Sequence, residues 1–314
     1  MTTAPANRRF DDPDDDAVAG VQVHHASPPM HSSSLSLHVA AVLAALTIAP
    51  AVLPAQPTPA SPAATSARLA PPAPDSLEAI TRRGYQLANY DAAAWQGTDA
   101  VMALRPARDA FTTYLAREIG GRWTVSFGSL SPGGDTLRVT YEAVAGTSEG
   151  EPFTARAVVP ARPETGALAA MARTIADVRT RLGQPTRPMN IAVLSAPDGG
   201  WYTYVAPAQT RADVYPLGGD TRYHYSADGR ALRATRVLHR SIIEFGTPAA
   251  TNGRLEYGTH TAVLDNIPED TDVWHVLVRE PKVPELIVTD AFIYRIDVDG
   301  RIRLLGRREE LLRK

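Results

Sequence analysis

The sequence predicts an α+β fold: a mostly antiparallel, mixed β-sheet packed with two long amphipathic helices, after a signal peptide and a disordered linker. Three observations predict it. Two segments, 75–104 and 163–182, repeat apolar residues at helical spacing. Around them run short alternating segments divided by turns such as SPGGD and PDGG, the pattern of hairpins rather than of βαβ units. No repeat at a fixed period occurs, which excludes solenoids and propellers.

The first 34 residues are polar and irregular, with an acidic run, DDPDDD, at 11–16. The segment 35–56 follows, with an apolar core from Val39 to Ala49 that has the length of a signal-peptide h-region and is too short to span a bilayer well. Pro50 and Pro54 break any helix there, and Ala49, Ala51 and Ala55 offer cleavage sites. Residues 1–56 therefore read as leader and signal peptide, and the protein as exported, periplasmic or extracellular. Between Met30, an alternative start, and the apolar run stand only His31 and His38 and no Lys or Arg, so an uncleaved N-terminal anchor in the membrane is the alternative. Residues 57–74 are Pro, Ala, Ser and Thr apart from Arg68 and Leu69, without the apolar mass to offset ordering entropy; they read as a disordered tether.

The folded part begins near Asp75. In 75–104, Asp75 and Glu78 sit in the first turn, and Leu77, Ile80, Leu87, Tyr90 and Ala94 share a face; an interruption is expected near Gly97. Segments 112–118, 122–130, 135–144 and 153–160 then alternate as an antiparallel meander, closing a first unit at 75–162. The second unit, 163–314, opens on a helix over 163–182 with Leu168, Met171, Ile175, Val178 and Leu182 on one face. Strands follow at 189–196 and 200–208, a hairpin at 220–239 turned at ADG, strands at 284–290 and 292–305 with a DG turn, and a short charged helix at the end. PLGGD at 216–220 reads as a turn, because it leads into a strand and not into a helix.

Composition removes several function classes. The formal net charge is −2 with 21% charged residues, which argues against nucleic acid as a partner. The chain has no cysteine, hence no disulfide, thiol nucleophile, zinc-thiolate site or lipid-anchor cysteine. It also lacks a phosphate-binding glycine loop, HExxH and an EF-hand loop. Trp201, Tyr202 and Tyr204 form either core or a ligand face, core being the expectation.

The histidines of the folded part are His224, His239, His260 and His275. His224 alternates with tyrosines on a strand and reads as a surface or half-buried strand residue. His275 follows Trp274 in an apolar run and reads as a satisfied core or boundary histidine. His239 ends a strand and faces either a loop carbonyl or a site. His260 stands between Thr259 and Thr261, just ahead of NIPEDTDV. There Asp265 and Asn266 favour a turn, Pro268 suits the first position of a short helix, and Glu269, Asp270 and Asp272 suit its positive N-terminus, without any metal.

The order of elements from residue 163 onward, with YGTH, PEDTD and ELIVTDAFIYRIDVDG, resembles a degenerate JAMM/MPN (JAB-like) domain of the zinc isopeptidases. In that family two histidines of a His-x-His element and an aspartate hold zinc, and a strand glutamate activates water. The resemblance implies His260 as the first ligand and Asp272 as the carboxylate ligand. Ala262 stands at the second histidine, Glu269 at the serine and Asn190 at the glutamate. His239, from a neighbouring strand, is the candidate replacement. A hydrolytic zinc needs three protein ligands and an open position, and a general base beside it. The leading expectation is therefore a non-catalytic exported binding or structural domain with no required cofactor, its partner an unknown protein or envelope component. The alternatives are a zinc-dependent hydrolase with a rearranged site at His260, Asp272 and His239, and a membrane-tethered assembly factor.

Overall fold

The computed structural model describes residues 69–148, 150–246 and 255–313. The leader, the apolar segment at 35–56 and linker residues 57–68 lie outside the described residues. No helix among the described residues is long and apolar enough to cross a membrane.

The α+β class holds, with the described residues falling in one compact unit. Helix α1 (Pro74–Met102) starts with a proline in its first turn, where the missing N–H costs nothing, and Asp75 beside it. It buries Ile80, Leu87, Tyr90, Ala94 and Val101 along one stripe. The expected interruption at Gly97 is absent. A Cβ there would come within 2.5 Å of Val125 in strand β2, so the glycine lets helix and sheet touch rather than breaking the helix. Gly84 does the same against Val273, where a Cβ would lie 2.4 Å from the valine Cβ.

The predicted meander is β1 (Thr113–Ile119), β2 (Arg122–Leu130), β3 (Leu137–Val144) and β4 (Thr154–Glu164), antiparallel in that order. β4 runs on to Glu164, so α2 (Ala167–Leu182) begins later than residue 163, after Gly166. The stripe of α2 packs Leu168, Met171 and Ile175 against Leu115, Leu137, Val139 and Val193.

A second antiparallel sheet has the order β5-β6-β8-β9: β5 (Met189–Ser195), β6 (Trp201–Pro207), β8 (Thr221–Tyr225) and β9 (Leu232–Val237). Two short strands that the sequence pattern hides, β7 (Val214–Gly218) and β10 (Ile242–Gly246), pair with each other. PLGGD is thus strand through Gly218, with the turn at Gly218 and Gly219, both in the left-handed region. The last sheet is mixed: β11 (Gly258–Thr261) lies parallel to β12 (Glu285–Val288), and β13 (Phe292–Ile296) and β14 (Ile302–Arg307) continue it antiparallel, followed by the short helix α4 (Arg308–Leu311).

Between β11 and β12 lies α3 (Asp270–Val278). Its N-cap is Glu269, held by a reciprocal capping box with Asp272, so Pro268 precedes the helix instead of taking its first position. Val273 and Val276 of α3 pack with Ile80 of α1 and with Ile287, Phe292 and Tyr294 of the last sheet. Asp270 ties the layers together: it accepts from Arg83 of α1 at 2.8 Å, from the Tyr204 hydroxyl of β6 at 2.7 Å, and from Arg222 of β8. The first turn of α3 is thereby fixed against three elements.

Candidate metal centre

His239, His260 and Asp272 meet. Their candidate ligand atoms all lie within 4.8 Å of one another. Asp272 Oδ1 stands 3.0 Å from His239 Nε2 and 3.1 Å from His260 Nε2. These are ion-pair distances, but the angles do not make hydrogen bonds: Nε2 of both rings and Oδ1 are buried without a hydrogen-bond partner. Asp272 and His260 are buried, and the His239 side chain keeps 11% of its exposure.

Each side chain is aimed by its own element. Asp272 is the third residue of α3, and its Oδ2 accepts the Glu269 N–H at 2.7 Å. The capping box thus occupies one carboxylate oxygen and leaves the other facing the histidines. The expectation that these acids serve a helix N-terminus is met, and one of them serves the site as well.

His260 is an inward residue of β11, whose burial alternates between Gly258 and His260 within and Thr259 and Thr261 outside. Its Nδ1 lies 2.9 Å from Glu285 Oε1, and Glu285 is clamped by the Arg279 guanidinium. Glu285 pairs in register with Gly258. A Cβ on Gly258 would come within 2.1 Å of Glu285 Oε2, so the glycine of YGTH makes room for this carboxylate.

His239 follows β9. The Leu238 N–H bonds to the Asp220 carbonyl at 3.0 Å, which sets His239 beside Asp220, and its Nδ1 lies 2.9 Å from Asp220 Oδ1. A carboxylate on Nδ1 favours the tautomer with the proton there and turns the Nε2 lone pair to the centre, as in metal-binding histidines.

The electrostatics agree. Asp220, Asp272 and Glu285 bring three negative charges against the single guanidinium of Arg279, so with neutral rings the cluster carries two uncompensated negative charges. Either two protons or one divalent cation balances it. Without a cation the protons answer. Burial opposes the charged ring at His239, but Asp272 and Asp220 override it and raise its pKa to about 11. At His260 burial is likewise overridden, by Asp272 and Glu285, and the pKa rises to about 9. Burial alone would push the Asp272 carboxyl up; the two imidazoles hold it far below the ordinary aspartate range.

A cavity of about 140 Å³ opens on the two rings, lined also by Leu217, Leu238, Arg240 and Ile243. A water centre needs about 10–15 Å³, so the cavity holds more than one water. No carboxylate lines it.

The other predicted positions separate. Ala262, at the expected second histidine, is buried in the core with Val273 and Ile287. Asn190, at the expected glutamate, lines a different cavity together with Asp91. Glu269 is committed to Arg236 and to the cap. His224 is half-buried and 3.1 Å from Asp198, as its alternation suggested. His275 is buried against the Phe245 ring, with centroids 4.8 Å apart, but it is not satisfied: its Nε2 has no hydrogen-bond partner. Tyr204 is core, while Trp201 and Tyr202 are half-buried, with Trp201 donating to the Ala227 carbonyl and Tyr202 lying against Arg222 and His224. Sequence reasoning missed Asp220, Glu285 and Arg279. The pairings of β11 with β12 and of residue 238 with residue 220 bring in Glu285 and Asp220, and Arg279 follows Glu285 from the end of α3; no local motif announces them.

The chain matches no family model, no curated protein and no solved structure.

Proposed function

We propose that this protein holds one divalent transition-metal ion, zinc in the first place, on His239, His260 and Asp272, and that the centre serves a hydrolytic reaction. One observation carries the reading: three buried donor atoms from three separate elements converge without hydrogen-bond partners, each ring backed by a carboxylate. Two imidazoles and a carboxylate are a hydrolytic zinc set. Bound there, zinc would act as a Lewis acid toward a carbonyl or phosphoryl oxygen. The chain's own residues do the rest. Asp220 and Glu285 fix the tautomer and orientation of the rings. The cap of α3 holds Asp272 Oδ1 in place, and the apolar cavity beside the rings admits substrate and thins out water. The JAMM/MPN resemblance supports the same residues, with His239 replacing the histidine absent at Ala262. The N-terminal apolar segment supports an exported protein.

A second reading, an exported binding domain in which the ion is structural, is favoured by the lining of that cavity, which offers no carboxylate as general base. The test begins with metal content. The full chain is purified without a histidine tag and its zinc measured by elemental analysis, alongside His260→Ala and His239→Ala. About one zinc per chain, lost in both variants, supports the centre; no zinc, or zinc retained in both variants, sinks it. A zinc-loaded protein is then screened against peptide and ester substrates. Chelator-sensitive turnover favours the hydrolase, and its absence favours the binding domain.

A further inference from the structure

A second cavity, of about 50 Å³, lies on the far side of Asp220 and is lined by Asp91, Asn190, Tyr215, Thr271, Trp274 and His275. Asp91 also lines an adjoining space of about 20 Å³, with Tyr90, Tyr114 and Tyr204. Asp91 sits in the middle of α1 beside the buried Tyr90, away from the helix ends where a carboxylate could cap.

Four features distinguish this cavity from a packing defect. First, Asp91 has no arginine or lysine partner among the described residues; the Trp274 N–H approaches its carboxyl but without the geometry of a hydrogen bond. Burial accordingly pushes Asp91 up to about 6, with only Trp274 pulling it down. Second, Thr271 Oγ1, Trp274 Nε1 and His275 Nε2 are all buried without partners, and Thr271 and His275 are 2% and 3% exposed. A fold that leaves so many buried polar atoms unpaired at one place gives up stability there, unless something else satisfies them. Third, no lysine or arginine lines either space, while the Asp91 carboxylate lines both; Asp220, in the larger one, is already paired with His239. Fourth, aromatic rings stand among the aliphatic walls: Trp274 and Tyr215 in the larger space, and Trp274, Tyr90 and Tyr114 in the smaller.

We infer that this cavity is a binding site for a small organic cation, an alkylammonium group seated between the Asp91 carboxylate and the Trp274 and tyrosine rings. A carboxylate without a counter-ion and aromatic faces recognise a protonated amine through charge and cation–π attraction. The absence of basic residues argues against an anion. The unpaired hydroxyl of Thr271 and ring nitrogen of His275 can each accept one ammonium proton. The small volume limits the guest to a short chain, since a single water already takes about 10–15 Å³. The site shares Asp220 with the candidate metal centre, but Asp91 and Trp274 belong to it alone.

The test uses the full chain, treated with chelator so that an amine cannot ligate a metal at His239, His260 and Asp272. Binding of n-butylammonium, n-butanol and butyrate is measured by calorimetry or ligand-observed NMR at pH 8, where Asp91 is ionised. The ammonium is expected to bind roughly tenfold or more tighter than the alcohol, and the carboxylate not at all. In Asp91→Asn the ammonium loses that advantage while the alcohol still binds. Equal binding of ammonium and alcohol to the unaltered chain, or no binding of the ammonium, overturns the proposal. So does an Asp91→Asn chain that keeps the preference. The comparison of the three probes on the unaltered chain decides the matter even if the variant fails to fold.

Discussion

The meander and the junction around α3 both carry paired charges, but they balance them differently. In the meander, Glu142 is held by Arg156 and Arg162, both at 2.8 Å, and Arg162 reaches on to Glu164. Both acids have a guanidinium, and the guanidinium reaches water. Asp270 follows the same rule further inside, with Arg83 and Arg222 on its two oxygens. Around His239, His260 and Asp272 the rule fails, because three buried carboxylates share one guanidinium. A balanced network is complete when the chain has folded. An unbalanced one takes its missing positive charge from outside, as protons or as a metal ion.

The sharpest way to break this contrast is to remove a carboxylate from each kind of network. Asp272→Ala strips the cap of α3 and leaves two imidazoles facing each other. It should cost about 3–5 kcal/mol in urea unfolding and abolish zinc uptake. Asp270→Asn removes the charge between Arg83 and Arg222 and should cost a comparable amount, about 3 kcal/mol, yet leave zinc stoichiometry unchanged. If Asp270→Asn also loses zinc, the two networks are one unit and the contrast falls. Zinc itself should stabilise the unaltered chain by about 2.7 kcal/mol at a free concentration of a hundred times Kd, read as a rise in Tm that disappears in His239→Ala. Gly258→Ala drives a methyl into Glu285 and Arg279 and should cost about 1–3 kcal/mol by the same unfolding measurement, with weakened zinc binding because Glu285 no longer backs His260. Retention of full affinity in Gly258→Ala would show that Glu285 does not orient the ring.

The same contrast explains what the sequence could show. The two long helices and the meander were legible because their apolar periods are local, and Leu168, Met171 and Ile175 announce a helix face wherever it packs. Gly97 was misleading: a missing side chain is visible in the sequence, but its partner, Val125, is a tertiary fact. β7 and β10 escaped notice because they are short, contain Pro216 and Gly246, and pair across the β8–β9 hairpin. At the centre, the residue types of His239, His260 and Asp272 stood out. The carboxylates behind the rings did not, since Asp220 and Glu285 reach them only through strand register. Charge balance is likewise invisible in a net charge of −2, which averages the well-paired meander with the unpaired centre.

The smallest effect is expected where balance is complete. Glu142 sits between two arginines, one of them 67% exposed in its side chain, so solvent screens the pair and Glu142→Gln should cost about 1 kcal/mol or less. Its pH dependence gives the network a signature. The hydrogen bond from Arg162, working against burial and helped by Arg156, holds the Glu142 carboxyl below the ordinary value of 4.5. An acid whose folded pKa is lowered contributes its stability above the unfolded pKa and loses it as pH falls through the folded one. The gap in unfolding free energy between the unaltered chain and Glu142→Gln should therefore be full at neutral pH and close below the ordinary value of 4.5. Zinc should leave that gap untouched. A gap that widens in acid, or that changes when zinc is added, would mean that the meander is coupled to the centre and that its charges are not a closed account of their own.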